Sequence, residues 1–401
     1  MRWILPFLMG WLAFIPRELD AQTNVWAPYE VFGEKEGFQN YFGPGLITRD
    51  KDGLLWVGGD NGLYSFDGTH FTNYRHIAGN DSSLPSNVVF CNYQDKAGDY
   101  WVAVKYKGLY RFNGATRSFH RFTYAGMDRF NIHQYRITCF LEDGPLLWIV
   151  LPDFGLACWN RQTSTMRPYR ICPSGSCGVY GAASWLNIMI KDPADGSYWL
   201  GSNDGLLQFW PNSGAFTIHR PPQVQTWDGQ QMGPVMNHLF IDETGVLWCG
   251  TWGSGLYAFN RQNKTFTSYK WYPVYAGTKN ICSAIFSAGK DHLWIATGEN
   301  GLLLFNKRSG SFRKVRAPDK PDEAISINSC FQTSTHTIWV ADQKKLYRYD
   351  LDTGRIAWYP VVNTTSQKNQ LNGFGIYNFT QVKNKLYLGT YYDANFGWYN
   401  R

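Results

Sequence analysis

Charge is scarce in this 401-residue chain: Asp, Glu, Lys and Arg together make up 17% of it, and no run of five Lys or Arg occurs. Nucleic-acid binders cluster their basic charge, so the formal +7 reads as scattered solvated side chains, and no nucleic-acid partner is expected. The Gly-rich phosphate loop, H-E-x-x-H and G-x-S-x-G are all missing, which removes the commonest nucleotide, zinc-protease and serine-hydrolase readings. Long apolar runs are also missing, with one exception near the start. Trp3 to Ile15 is almost wholly apolar, follows Met1-Arg2 and precedes Leu19-Asp20-Ala21. A bilayer span needs about 20 residues, so residues 1–21 read as an export signal. A retained anchor is the alternative. The expected mature chain, residues 22–401, is periplasmic or secreted and carries no membrane span. No Cys follows the apolar run, so the lipoprotein pattern does not apply.

In an oxidising compartment the eight cysteines need an account. Cys172 and Cys177, in C-P-S-G-S-C, flank a small-residue loop and are read as a loop disulfide, since no C-x-x-C or His pair accompanies them to suit a metal. Cys91, Cys139, Cys282 and Cys330 fall in expected inner strands and read as small buried apolar side chains.

What the chain has in quantity is aromatic residues (17%) and glycine (40 residues), a balance suited to many short strands and tight turns. They recur in register. A marker aromatic stands at Trp56, Trp101, Trp148, Trp199, Trp248, Trp294, Trp339 and Tyr387, at spacings of 45 to 51 residues. A turn and a second strand follow each, as in N-G-L-Y-S-F-D67, K-G-L-Y-R-F-N113 and S-G-L-Y-A-F-N260. Next come a polar turn and a third segment with apolar residues three apart, such as Phe71/Tyr74 and Phe266/Tyr269. Ahead of each marker lies a short apolar strand closed by an acidic hairpin such as D-K-D-G or D-E-T-G. Four strands per repeat of this length is the spacing of a β-propeller blade, whose faces are buried only when blades stack. The expected fold is all-β, a propeller of four-stranded antiparallel blades. The eighth copy ends at Arg401 without its outer strand, and Val25-Trp26-Ala27-Pro28-Tyr29 offers one, with Trp26 and Tyr29 at the outer-strand spacing. Eight blades closed by that N-terminal strand is the reading; seven blades with a stray half-unit, or part of a longer double propeller, are the alternatives.

The segment N80-D-S-S-L-P-S-N-V-V-F-C-N-Y-Q-D-K-A-G-D-Y-W-V-A-V-K-Y-K-G-L-Y-R-F-N113 closely resembles the two-component regulator propeller repeat. The resemblance extends over residues 25 to 401, and the eighth copy is degenerate, with Gly397 where Tyr is usual. In that family such propellers form the periplasmic sensing part of Bacteroidetes hybrid histidine kinases and recognise oligosaccharides from complex glycans. The resemblance implies an extracytoplasmic sensor propeller with a small-molecule or oligosaccharide ligand and a membrane sensor kinase as partner. No immunoglobulin-like, kinase or DNA-binding pattern appears in these residues. The expectation is therefore a stand-alone sensor-like binding protein, or a piece of a sensor kinase without its transmitter.

Propellers bind ligands on the loops joining the second to third strand and the outer strand to the next inner strand, a placement that rests on fold analogy. On those loops the candidates are Tyr106, His133, Tyr135, Arg136, Trp227, Asp228, Trp252, Trp271 and Tyr272, with Gln134 among them. Aromatic faces stack on sugar rings while Arg, Asp and Gln bond hydroxyls. Any one of these aromatics could equally pack loops together. No cofactor, metal or catalytic residue is assigned. The enzyme readings are weaker: Y-D350-L-D-T-G-R-I-A-W358 resembles the tryptophan-docking motif of quinoprotein dehydrogenases in one copy only. The carboxylates that a polysaccharide lyase or hydrolase would need sit in hairpin turns, and His70, His120 and His219 are read on outer strands. A protein-interaction scaffold is the other alternative.

Overall fold

The computed structural model describes residues 29–32, 47–152, 154–171, 186, 188–203, 205–222, 224–225, 231–232, 234–272, 280–315, 327, 329–334, 337–341, 345–350, 356–360, 376–382, 385–390 and 396–400. These form eight four-stranded antiparallel sheets and one two-stranded ribbon, Val224–Gln225 with Gln231–Met232. The fold is the expected β-propeller. The sheets follow in chain order over residues 47–74, 89–121, 139–170, 188–219, 236–269, 282–314, 329–360 and 376–400, and each runs from inner to outer edge as the chain runs. Among the described residues no helix is long and apolar enough to cross a membrane. The export-signal segment, residues 1–21, lies outside them.

The last sheet takes its outer strand from near the other end of the chain. Tyr29–Phe32 pairs with Phe396–Asn400, in the register Tyr29 with Tyr399 and Phe32 with Phe396. The first strand of the eighth sheet, Ile376–Val382, lies beside Ile47–Arg49 of the first. The expected closing segment, Trp26 to Tyr29, is corrected by one spacing. The register aligns Tyr29 and Phe32 with the eighth sheet's third strand, and Trp26 and Pro28 lie outside the described residues. Tyr29 and Phe32 have the same three-residue interval, so the pattern alone does not choose between the two pairs.

The marker Trp residues work between sheets as well as within their own, where Trp56 stacks on Tyr74 and Trp148 packs on Tyr169. Trp148 packs on Tyr198, Leu207 and Phe209 of the next sheet, Trp199 on Leu247 and Phe259, Trp248 on Leu293 and Phe305, and Trp294 on Ile338 and Tyr347. The second aromatic of the repeat, the Phe before Asn or Asp, supplies the other half of the contact. Its ring meets the preceding sheet's Trp edge-on: Trp56–Phe112 at 5.0 Å, Trp148–Phe209 at 5.3 Å, Trp199–Phe259 at 5.4 Å and Trp248–Phe305 at 5.4 Å between centroids. Edge-to-face pairing adds roughly 0.5–1.5 kcal/mol to the area buried. The glycine two residues after the marker lets the next inner strand approach. A Cβ at Gly250 would lie 2.5 Å from Cys282 Sγ, and one at Gly58 would lie 3.0 Å from Val89.

The acidic hairpin satisfies the buried indole. Trp56 Nε1 donates to Asp50, Trp101 to Asp95 and Trp199 to Asp192, each at 2.8 Å, and Trp248 donates to Asp242 at 2.9 Å. In the third sheet Trp148 donates instead to the Tyr198 hydroxyl at 2.9 Å, which donates to Asp143 at 2.5 Å. The residue after the repeat's Asn then reaches back from the next sheet: Arg161 to Asp95 at 3.1 Å, Lys307 to Asp242 at 2.9 Å, and Arg261 to Asp192. Asp50 lacks this third member because Gly114 follows Asn113. The Asn itself caps the outer hairpin. Asn260 Oδ1 accepts from the backbone of Gln262 and Asn263, and Asn306 Oδ1 from Arg308 and Ser309. Asp67 does the same for Thr69 and His70.

Cys91, Cys139, Cys282 and Cys330 occupy first strands as expected and are free thiols. Cys172 and Cys177 lie outside the described residues. Asp350 ends the third strand of the seventh sheet and Trp358 lies on its outer strand, and residues 351–355 between them lie outside the described residues.

Two glycines separate close approach from backbone freedom. Gly250→Ala is expected to lower unfolding free energy by about 1–3 kcal/mol through overpacking against Cys282. Gly114→Ala, whose Cβ meets nothing nearer than 3.9 Å, is expected to change it by less than about 0.5 kcal/mol. Urea unfolding of both variants checks this, and equal losses would contradict the assignment.

Candidate functional site

The two ends of the sheets differ in kind. One end carries the acidic hairpins and the Asn-capped outer hairpins, where Asp50, Asp95, Glu142, Asp143, Asp192 and Asp242 are tied to indoles or cations. The other carries the loops before each G-L-Y strand and the loops that lead to the next sheet. Four large apolar side chains stand out as exposed among the described residues: Tyr106 (79%), Trp252 (60%), Ile77 (56%) and Tyr272 (38%). All four are on the loop end. Chance would scatter single apolar residues over the whole surface, so this grouping marks the loop end as the candidate site.

The loops that present them are rigid for local reasons. Thr251 Oγ1 donates to Gly255 O at 2.8 Å and accepts from Ser254 N at 3.0 Å, and the Trp252 backbone N–H donates to Val235 O at 2.9 Å. Trp252 is thus held outward on a closed turn. Tyr106 sits at φ +56°, a left-handed position uncommon for a side-chain-bearing residue, and Lys105 Nζ lies 5.2 Å from its ring centre and 5.7 Å from that of Phe90. Ile77 is carried by the S-L-P-S-N loop. There Leu84 inserts into the core, and Asn87 Oδ1 accepts from His76 N at 2.7 Å. Asn280 plays the same part for Trp271 and Tyr272, accepting from their backbone N–H groups at 3.2 and 3.1 Å.

The candidates read from the sequence separate on burial and bonding. Tyr106, Trp252 and Tyr272 are exposed on one end, as a ligand platform requires. Gln134 is exposed, and Arg136 is half-buried on the loop between the second and third sheets. His133 is corrected: it is 7% exposed and both ring nitrogens serve the fold. Nδ1 accepts from Leu109 N at 3.2 Å and Nε2 donates to Phe122 O at 2.9 Å, so the imidazole is neutral. It also explains Gly108, where a Cβ would fall 2.4 Å from the His133 Cα. Tyr135 is half-buried, stacked on Phe130 at 5.6 Å and against Phe154 at 4.8 Å. Trp271 is half-buried, meets Phe312 edge-on at 5.4 Å and lines a cleft beside Lys270 and Tyr272. Trp227 and Asp228 lie outside the described residues. Of the histidines read on outer strands, His120 and His219 are in them, and His70 is in the turn just before Phe71.

Sequence reasoning missed Ile77, Lys105, Phe90 and Lys270. For Lys105 a signal existed: the second copy reads V-K-Y-K-G-L-Y where the first has G-G-D-N-G-L-Y, so cations replace the usual turn residues. A cleft of about 440 Å³ opens on the outer flank between the fifth and sixth sheets, beside Lys270, Tyr272, Asn300, Phe312 and Lys314. The outer strand of the sixth sheet spans only Phe312–Lys314, shorter than the four to six residues of Phe71–Tyr74 or Thr165–Arg170, and the cleft occupies the space left beside it.

Burial sets the titration of the fold. It pushes His133 down, and it pushes His238, on the first strand of the fifth sheet, down to about 4. For Asp242 burial acts upward, but bonds from Thr244, Trp248 and Lys307 outweigh it and hold the carboxyl at about 2. Unfolding restores ordinary values near 6.5 for His and 3.8 for Asp. The unfolded chain therefore binds more protons as pH falls. Stability is expected to be full above about pH 6.5, to drop as the histidines titrate toward pH 4, and to drop again between about 3.8 and 2. Denaturation midpoints measured across that range check the two steps, and a His133→Gln variant should reduce the first.

No family profile and no curated protein matches the chain. Solved structures do. The extracellular domain of the putative hybrid two-component system BT3049 from B. thetaiotaomicron is similar at 22% identity and TM-score 0.52, covering 93% of this chain and 53% of that one. This chain thus spans about half the length of that neighbour. The computationally designed Ika8 protein is similar at 11% identity and TM-score 0.59, covering 91% and 98% of the two chains. The C-terminal WD40 domain of Sif2 is similar at 14% identity and TM-score 0.54, covering 94% and 99%. The chain has the β-propeller fold, and its structural neighbours include the extracellular domain of a Bacteroides two-component system.

Proposed function

We propose that this chain is an extracytoplasmic, ligand-binding sensor propeller that recognises an oligosaccharide at its loop end and works with a membrane sensor kinase. One observation carries the reading: the exposed Tyr106, Trp252, Ile77 and Tyr272 share that end. Tyr and Trp faces stack on the apolar faces of sugar rings, and a rigid, outward aromatic loses little entropy on binding. The likeness to an extracellular domain of a two-component system supports the sensor role and the location outside the cytoplasm. The same exposed apolar group would also serve a protein partner, which keeps an interaction scaffold as the second reading.

Trp252→Ala and Tyr106→Ala are each expected to weaken binding of a glycan fragment by about tenfold or more, the usual cost of losing an aromatic anchor. Neither should shift thermal unfolding, because both side chains lie in solvent. Glycan-array capture followed by calorimetry on the two variants checks this. Saturable capture without product release supports a sensor. Release of shortened saccharides would overturn the non-enzymatic reading, and binding unchanged in both variants would move the site elsewhere.

A further inference from the structure

We propose that the outer flank of the second and third sheets rests on the anionic phospholipid headgroups of a membrane, with the loop end left clear. This contact is independent of the oligosaccharide reading. Arginine is concentrated there: residues 111–170 hold eight arginines and no lysine, whereas lysine outnumbers arginine in the rest of the chain. Two of the eight serve the hairpin end, Arg111 with Asp99 and Arg161 with Asp95 and Glu142. Arg136 is half-buried. The other five, Arg117, Arg121, Arg129, Arg167 and Arg170, are exposed and form no ion pair among the described residues.

Topology brings the five to one flank. Arg117 is in the outer hairpin of the second sheet at φ +52°, and Arg121 ends its outer strand, Ser118–Arg121. The link that follows carries Arg129 and reaches the third sheet, where Ala125 forms a parallel bridge to Thr165. Thr165 opens the outer strand Thr165–Arg170, which holds Arg167 and Arg170. Their guanidinium carbons lie 4.9 Å from the Tyr169 ring centre and 5.6 Å from that of Phe154, so both rest on rings that the fold has already placed. Among the described residues the exposed carboxylates beside them are Asp128, on the link, and Asp81, whose neighbour Ser82 bonds Phe119. Five arginines against these two leave positive charge in excess.

The chemistry of the flank selects the partner. A protein partner would need an aromatic or apolar anchor, and a saccharide a bare ring face. The large apolar side chains exposed among the described residues are all at the loop end instead. The flank offers guanidinium groups, whose planar fork bonds phosphate oxygens in pairs. A phosphate-covered surface needs nothing more. With no large apolar side chain to insert, the contact is electrostatic and reversible.

The test is co-sedimentation of the full chain with vesicles of phosphatidylcholine alone and with phosphatidylglycerol added, at low and high salt. Binding is expected only with phosphatidylglycerol and is expected to fall as salt rises. The pair Arg167→Gln and Arg170→Gln, and the pair Arg121→Gln and Arg129→Gln, should each lower vesicle partition about tenfold or more. The pair Lys51→Gln and Lys290→Gln removes the same charge from exposed positions at the hairpin end and should stay within about threefold of the parent. Equal losses in that control, binding to phosphatidylcholine alone, or binding to neither vesicle overturns the membrane contact. Capture of a sulfated polysaccharide without either vesicle overturns it in favour of another polyanion. Trp252→Ala and Tyr106→Ala should bind vesicles as the parent does, so vesicle binding without glycan capture overturns the oligosaccharide reading alone.

Discussion

The structure depends on one contact repeated from sheet to sheet: a tryptophan seated on the next sheet's face, with its N–H held by a buried aspartate. A four-stranded sheet has two apolar faces and cannot cover either alone. Burying about 200 Å² of indole contributes on the order of 5 kcal/mol at roughly 25 cal/mol per Å², an upper figure because unfolded chains are partly collapsed. That gain would be eroded if the indole N–H were left unsatisfied, since an orphaned buried donor costs about 1–3 kcal/mol. Asp50, Asp95, Asp192 and Asp242 remove that cost, and in three of the four a cation from the next sheet neutralises the carboxylate. The interaction joins neighbours electrostatically as well as by packing.

This arrangement has a consequence for function. Holding the acids at the hairpin end leaves the loop end free to differ between copies, because no indole depends on it. The loop end is where Tyr106 replaces a common turn residue and where Trp252 stands on a closed threonine turn, while the shortened strand Phe312–Lys314 leaves a cleft on the outer flank. A rigid repeated scaffold with variable loops is the usual division between stability and recognition.

The fold was largely legible because its determinants are periodic. Trp248, Phe259 and Asn260 have counterparts in most copies, with the Phe 10 or 11 residues after the Trp, and they act differently. The Trp packs between sheets, the Phe meets the preceding Trp edge-on, and the Asn caps the outer hairpin. The site was legible only in part. Tyr106 and Trp252 were correctly placed on exposed loops, but His133 occupies a similar loop and serves the fold instead. A loop aromatic or histidine has the same sequence signature whether it faces solvent or a neighbouring blade. The closing strand was read one interval early, at Trp26 and Tyr29 instead of Tyr29 and Phe32, because both pairs have the same interval and only strand register separates them.

By itself the sequence determined the architecture, because repeat length, strand pattern and the Trp–Asp–Asn signature are local and each copy restates them. Tertiary structure decided which residues a ligand could meet. His133 is removed from that set by Leu109 and Phe122, residues that approach it only once the second sheet has formed. Lys270 and Lys314 line one cleft because two sheets bring together positions 44 residues apart in the sequence. Exposure and juxtaposition are properties of packed neighbours, and no local pattern encodes them.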